Sequence, residues 1–319
     1  MERIWILFAA VVPALVCLVY GLIRSATDWR SEALWNAFLL GAMSAVAGSV
    51  AGFGVKLLLG VAIDWNAAPT VVSAGLSALF IAGLPEETAK FAVLTLIAAR
   101  HIDARWPRDT IMLSVAVALG FAALENVFYV ARPTGVSDWT TVAALRAVIA
   151  VPGHAIDGLA MGALLAMRDP RVGLAHVRSL VTLAVPVAMH TAYDFPLMLA
   201  AKSSNTQIPV AWLVIAAINA AFALWLCRRA CWGAGGSMQT HGPKALPRTK
   251  FILAGAGLFA VATALSVAFL VTSDGFTLRN MVALSIFPAA LAGDLLMTGL
   301  RSSVSTPRPG TSSPRPSLR

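Results

Sequence analysis

Residues 71–99 read VVSAGLSALFIAGLPEETAKFAVLTLIAA, a 29-residue run whose only charges are Glu86, Glu87 and Lys90. The run is long enough to cross a bilayer. Each charge near the centre of a membrane helix costs roughly 2.5–3.5 kcal/mol, while each Val, Leu, Ile or Phe returns only about 0.3–0.6 kcal/mol. The run has twelve of these apolar residues, so gain and cost nearly cancel. Such a helix needs polar neighbours inside the membrane, and ionisable residues kept there mark a functional site.

The rest of the chain agrees with a membrane setting. Its 319 residues are 58% hydrophobic and only 12% charged, with a mean hydropathy of +0.78. Soluble domains carry about twice that charge fraction. The expected fold is all-α, a polytopic transmembrane bundle of about nine spans at 4–23, 34–63, 71–99, 110–131, 142–167, 178–200, 208–227, 251–272 and 279–299. With the N-terminus outside and the C-terminus cytoplasmic, 17 of the 24 Lys and Arg residues fall on the cytoplasmic side and four on the other. That bias is the positive-inside rule. The net charge of +9 therefore reflects topology and contact with the anionic lipid bilayer, and no nucleic-acid partner is expected.

The first span has a weak positive flank and no small-residue cleavage pattern, so a retained helix is expected in place of a signal peptide. Cys17, Cys227 and Cys231 cannot make a disulfide framework, and Cys227 and Cys231 read as small interfacial residues at a cytoplasmic helix end. The expected organisation is two N-terminal helices (1–70), a core carrying the polar site (71–227), a cytoplasmic linker (228–250), two further helices (251–300) and a disordered basic tail (301–319). Gly48 and Gly52 in the second span have the spacing that lets helices approach closely.

Four consecutive spans carry the polar residues: Glu86, Glu87 and Lys90; Glu125 and Asn126; His154 and Asp157; His190 and Asp194. At about 1.5 Å per residue, Glu86 lies roughly 22 Å from the outer boundary, His154 about 18 Å, His190 about 15 Å and Glu125 about 9 Å. The groups are expected to converge in the middle to outer half of the membrane. Lys90 can pair with either glutamate, three or four residues back. A carboxylate beside a protonatable one can take a proton from water and return it. Asp157 and Asp194 are placed to orient the imidazoles of His154 and His190. Gly83 and Pro85 loosen the backbone just before the acid pair, where water must reach. Arg146 and Lys56, alone in apolar runs, read as snorkelling or paired structural residues. His101, His176 and His241 lie in basic loops and carry no site signal.

Glu86-Glu87-x-x-Lys90, Phe121-Ala122-x-x-Glu125-Asn126, His154 and His190, in that order over residues 71–200, resemble the motifs of the PrsW-type intramembrane proteases. That family belongs to the superfamily of CAAX prenyl proteases and bacteriocin-processing enzymes. His190-x-x-x-Asp194 fits the superfamily pattern, although Tyr193-Asp194 stands where Trp-Asn is common in PrsW-like sequences. The resemblance implies hydrolysis of peptide bonds in a membrane-anchored protein substrate of the anti-sigma-factor kind, in a bacterial plasma membrane. The catalytic set it implies is Glu86, Glu87, Glu125, His154 and His190, supported by Lys90, Asn126, Asp157 and Asp194.

Two mechanisms fit that set. Glu86 can be the general base, with His154 and His190 stabilising the oxyanion or protonating the leaving amine and Glu87 and Glu125 tuning them. Alternatively His154, His190 and Glu86 hold zinc. The His-Glu-x-x-His helix of common zinc proteases is absent from the sequence, and the route without a cofactor is favoured. The rival function is a non-catalytic membrane protein, a proton-coupled transporter or a partner-binding scaffold, using the same carboxylates as a relay.

Overall fold

The computed structural model describes residues 2–25, 31–63, 70–101, 107–131, 139–167, 175–200 and 208–233, which are helical nearly throughout and contain no strand. They belong to one compact unit, Met1–Pro243. The spans expected at 251–272 and 279–299, the tail 301–319 and linker residues 234–250 lie outside the described residues. In chain order the helices are α1 (Glu2–Ser25), α2 (Ser31–Ala62), α3 (Thr70–Leu76), a π-helical segment (Ser77–Gly83), α4 (Leu84–His101), α5 (Pro107–Val130), α6 (Trp139–Val148), α7 (Ala150–Ala166), α8 (Ala175–Ala200) and α9 (Ile208–Gly233).

Seven of the nine expected spans fall on described residues, and five of those match helices long and apolar enough to cross a membrane: Glu32–Val61, Asp109–Val130, Val142–Ala166, Ser179–Ala200 and Ala211–Cys231. The first span is matched by a shorter apolar helix, Leu7–Tyr20. The third differs because residues 70–101 do not form one continuous α-helix. Pro85 has no N–H to offer the carbonyl one turn back. The N–H of Leu84 bonds to the Leu79 carbonyl, five residues earlier. The ladder has slipped to the wider π register, a local change that turns the following side chains to a new face.

Helix α5 is the hub, packed against α1, α2, α4, α6, α7 and α9. Its residues from Leu113 to Ala123 are buried on every side, as expected of a helix that is apolar all round. By contrast, α2 and α9 leave Met43, Val50, Phe53, Leu58, Leu213 and Ile218 exposed. Apolar faces of that extent suit contact with acyl chains.

Backbones touch where glycines allow it. A Cβ on Gly120 of α5 would strike the Phe38 carbonyl of α2, and one on Gly41 of α2 would strike the Val117 carbonyl of α5. The two helices therefore interlock with no side chain between them. We expect Gly120→Ala to overpack this contact at a cost of about 1–3 kcal/mol. Thermal unfolding checks it, with Gly54→Ala as the reference because a Cβ there meets nothing within 4 Å. The contact is not limiting if both variants melt like the parent.

Gly48 and Gly52 do the same for the acid-bearing helix. A Cβ on Gly48 would lie 3.3 Å from the Glu86 Cα, and one on Gly52 would meet the Ile81 carbonyl. The small face of α2 thus seats the π segment and the start of α4. On the other side, a Cβ on Gly83 would lie 2.6 Å from Thr191 Oγ1. That bare position brings α8, with His190, close to the glutamates.

Candidate active site

Buried polar groups need partners, and each of these spans supplies what another lacks. In α4, Lys90 Nζ donates to Glu87 Oε1 at 2.6 Å, so the pairing allowed by helical spacing goes to the nearer glutamate. The same ammonium lies 2.9 Å from His154 Nδ1 of α7 and 4.3 Å from the centroid of the Phe121 ring of α5. An ammonium has no acceptor, so His154 Nδ1 must carry the lone pair and Nε2 the hydrogen. Nε2 then donates to Glu125 Oε2 of α5 at 2.8 Å. Both nitrogens of His154 are engaged by this arrangement.

His190 of α8 occupies the other end. Its Nδ1 lies 2.7 Å from Glu87 Oε1 and 3.6 Å from Asp157 Oδ2. Its Nε2 lies 3.2 Å from Asp194 Oδ2 and 3.8 Å from Glu86 Oε2. Each ring nitrogen therefore has a carboxylate acceptor for an N–H. The two imidazole rings are 5.3 Å apart between centroids, edge to face. The convergence expected from estimated depths is direct contact: Glu86, Glu87, Glu125, His154 and His190 all fall within one cluster.

Two placements differ from the local reading. Asp157 was placed by helical spacing on the face of His154, but its carboxylate is set toward His190, and the hydrogen-bond partners of His154 are Lys90 and Glu125. Arg146, read as a snorkelling or merely structural cation, is part of the site. Its Nη2 donates to Glu125 Oε2 and its Nε to Asn126 Oδ1, both at 2.6 Å. The guanidinium lies 4.0 Å from the centroid of the Tyr129 ring. Asn126 turns its other end to α1, donating to the Ala10 carbonyl at 3.0 Å.

A signal for Arg146 was present in the sequence. Neither it nor Glu125 has an opposite charge three or four residues away, so each needed a partner from another helix. Lys56, the other cation read as structural, is exposed on α2.

The cluster opens into a cavity of about 340 Å³ walled by Glu86, Glu125, Arg146, His154, His190 and Asp194, with Tyr129, Leu145, Ile149, Tyr193 and Leu197 among its other lining residues. That volume has room for several waters, or for a residue-sized piece of a peptide. Tyr193 donates from its hydroxyl to the Ile149 carbonyl, at the break between α6 and α7. Pro152 explains that break, because it has no N–H for the carbonyl of Val148.

Glu87 is fully buried, whereas Glu86 faces the cavity with 14% of its side chain exposed. One oxygen of each, Oε2 in both cases, has no hydrogen-bond partner among the described residues. A buried acceptor left open in this way suits a proton, a water or a cation.

Two overlapping groups have the donors for a metal ion: Glu87, His154, Asp157 and His190, and Glu86, Glu125 and His154. Within each, the ligand atoms lie within 4.8 Å of one another. Imidazoles mixed with carboxylates are a donor set that zinc accepts. The open oxygens of Glu86 and Glu87 add free lone pairs, so the residues fit such an ion in type and in closeness. The ammonium of Lys90 already supplies positive charge to Glu87 and His154, and an ion in the first group would compete with it.

Comparison with known proteins covers the whole of this site. A family model described as PrsW family intramembrane metalloprotease matches residues 30–223. The Protease PrsW of Oceanobacillus iheyensis is 27% identical over 222 residues, covering 69% of this chain and 94% of its own length. That of Shouchella clausii is 25% identical over 229 residues, covering 70% and 96%. That of Halalkalibacterium halodurans is 31% identical over 127 residues, covering 40% of this chain and 57% of its own length. No solved structure matches the chain. A match running from α2 into α9, and enclosing each of the interacting acids and histidines, shows that this chain belongs to the PrsW family of intramembrane proteases.

Proposed function

We propose that the chain hydrolyses peptide bonds in membrane-anchored proteins, with Glu86 as the general base. The observation that carries this reading is that Glu86 lines a cavity shared with both histidines and has a carboxylate oxygen with no hydrogen-bond partner among the described residues. A water there gives its proton to Glu86 while its oxygen attacks the scissile carbonyl carbon. The resulting oxyanion accepts the Nε2–H of His190, which exchanges its 3.2 Å contact with Asp194 for the substrate while Nδ1 stays held by Glu87. The proton held by Glu86 then passes to the leaving nitrogen as the C–N bond breaks, giving a carboxylate and an amine. Glu87 and Lys90 hold His190 and His154 in place, and His154 assists by bridging Lys90 to Glu125.

Zinc, where bound, would be held by Glu87, His154, Asp157 and His190 or by Glu86, Glu125 and His154. It would supply Lewis-acid polarisation and a more acidic water. Elemental analysis of the purified protein tests it: stoichiometric zinc that is lost in His154→Ala places the ion in this pocket.

In this proposal the chain crosses a bacterial plasma membrane nine times with its N-terminus outside, and cuts a substrate of the anti-sigma-factor kind toward the outer surface. The excess of cations on one set of loops supports the orientation. Membership of a protease family favours this reading over a transporter or scaffold. Membrane proteomics of cells carrying wild type or Glu86→Gln tests it, with uncut single-pass proteins expected to accumulate in the variant. Identical single-pass proteomes would reject the reading.

A further inference from the structure

The hydrogen bonds of the site form one chain across five helices: Arg146 (α6) to Glu125 (α5), His154 (α7) to the same Glu125 oxygen, Lys90 (α4) to His154 and to Glu87, and His190 (α8) to the same Glu87 oxygen. Its inner links lie between fully or almost fully buried groups. Its outer end is Arg146, on a helix of only ten residues. We infer that Arg146 is a positioning residue for hydrolysis, clamping Glu125 so that His154, and through it Lys90 and Glu87, is held in one arrangement. This inference rests on the peptidase reading proposed above.

The chemistry of the clamp favours arginine over lysine. A planar guanidinium can bond two acceptors at once in fixed directions, which an ammonium on a flexible stem cannot reproduce. Here Nε and Nη2 take the side-chain oxygens of two consecutive α5 residues, Asn126 and Glu125. The plane rests on Tyr129, one helical turn beyond Glu125. Asn126 is itself tied to the α1 backbone, so the fork is referenced to a fixed point.

Glu125 Oε2 accepts both from Arg146 and from His154. Without the guanidinium that oxygen loses one of its two donors. The carboxylate is then free to turn into the cavity that Glu86 also lines. His154 would then lose the fixed acceptor for its Nε2–H.

The test uses the full chain in proteoliposomes with a single-span reporter substrate, comparing wild type, Arg146→Ala, Arg146→Lys and Glu86→Gln. For Arg146→Ala we expect kcat to fall about 10–100-fold with KM changed less than about twofold. Millimolar ethylguanidinium should restore a measurable part of kcat, which relief of a merely structural defect would not require. Arg146→Lys keeps a charge but cannot bond both acceptors in the same way, and should lie between. It also serves as the test if Arg146→Ala fails to fold.

A folded Arg146→Lys and Arg146→Ala at wild-type kcat would overturn the inference, as would a loss confined to KM or one that ethylguanidinium leaves untouched. Glu86→Gln separates the two levels. If it still cleaves, the peptidase reading with Glu86 as base fails whatever Arg146 does. If it is inactive while the Arg146 variants are fully active, only the clamp fails.

Discussion

Glu86→Gln should remain folded and lose cleavage of a single-span reporter by about 10²–10⁴-fold, the usual contribution of a positioned general base. The loss should appear in kcat, because the amide has nearly the same shape and cannot take a proton from water. Folding is expected to survive because Glu86 Oε2 makes no hydrogen bond to the described residues. Its ion-pair contact among the described residues, to His190 Nε2, is at 3.8 Å. The substitution also removes one acid from a site where, among the described residues, Glu86, Glu87, Glu125, Asp157 and Asp194 face Lys90 and Arg146 as permanent cations. Purified protein of normal thermal stability that still cleaves at the parental rate would exclude Glu86 as the base.

The second large effect concerns stability. Lys90 is 1% exposed and Glu87 is fully buried, with 2.6 Å between their charged atoms. Two charges in a low-dielectric interior are costly to desolvate, and removing one leaves the other uncompensated, typically at about 3–5 kcal/mol. Lys90→Met should therefore lower the midpoint of thermal unfolding by on the order of 10 °C, and little folded protein should accumulate. Lys90→Met combined with Glu87→Gln should recover at least about half of that loss, because no unpaired carboxylate remains. The pair contributes nothing if the single variant unfolds at the parental temperature. The neighbouring acids are thereby told apart: changing Glu86 should affect chemistry with the fold intact, while disturbing the partner of Glu87 should affect the fold first.

Interactions within one helix were legible from residue spacing. Lys90 three residues after Glu87, and Asp194 four after His190, are on shared faces, and both contacts form. The helical class and the run of apolar spans followed from composition, because a bilayer requires the backbone to satisfy its own hydrogen bonds. Pro85 marked the place where the helix departs from α geometry, though not the π register that it adopts there.

Contacts between helices were not legible in the same way. Asp157 lies within one turn of His154, and spacing alone pairs them. The packing of α8 against α7 brings His190 nearer and claims the carboxylate. Arg146 looked solitary because its partners, Glu125 and Asn126, are 21 and 20 positions away. The bare face formed by Gly41 and Gly120 sets how close α2 comes to α5, and no single-helix pattern states which glycine meets which carbonyl.

The order of residues along the chain by itself determined that the molecule is a bundle of apolar helices carrying a small set of charges that could not be left in lipid. Helix formation and the cost of a lone charge in hydrocarbon are both local, so they can be read one segment at a time. Only the tertiary structure decided which of the two adjacent acids lines the cavity, which acceptor His154 uses, and that an arginine from a ten-residue helix closes the network. Those assignments depend on distances of 2.6–3.8 Å between side chains on different helices, and such distances are set by how the helices pack.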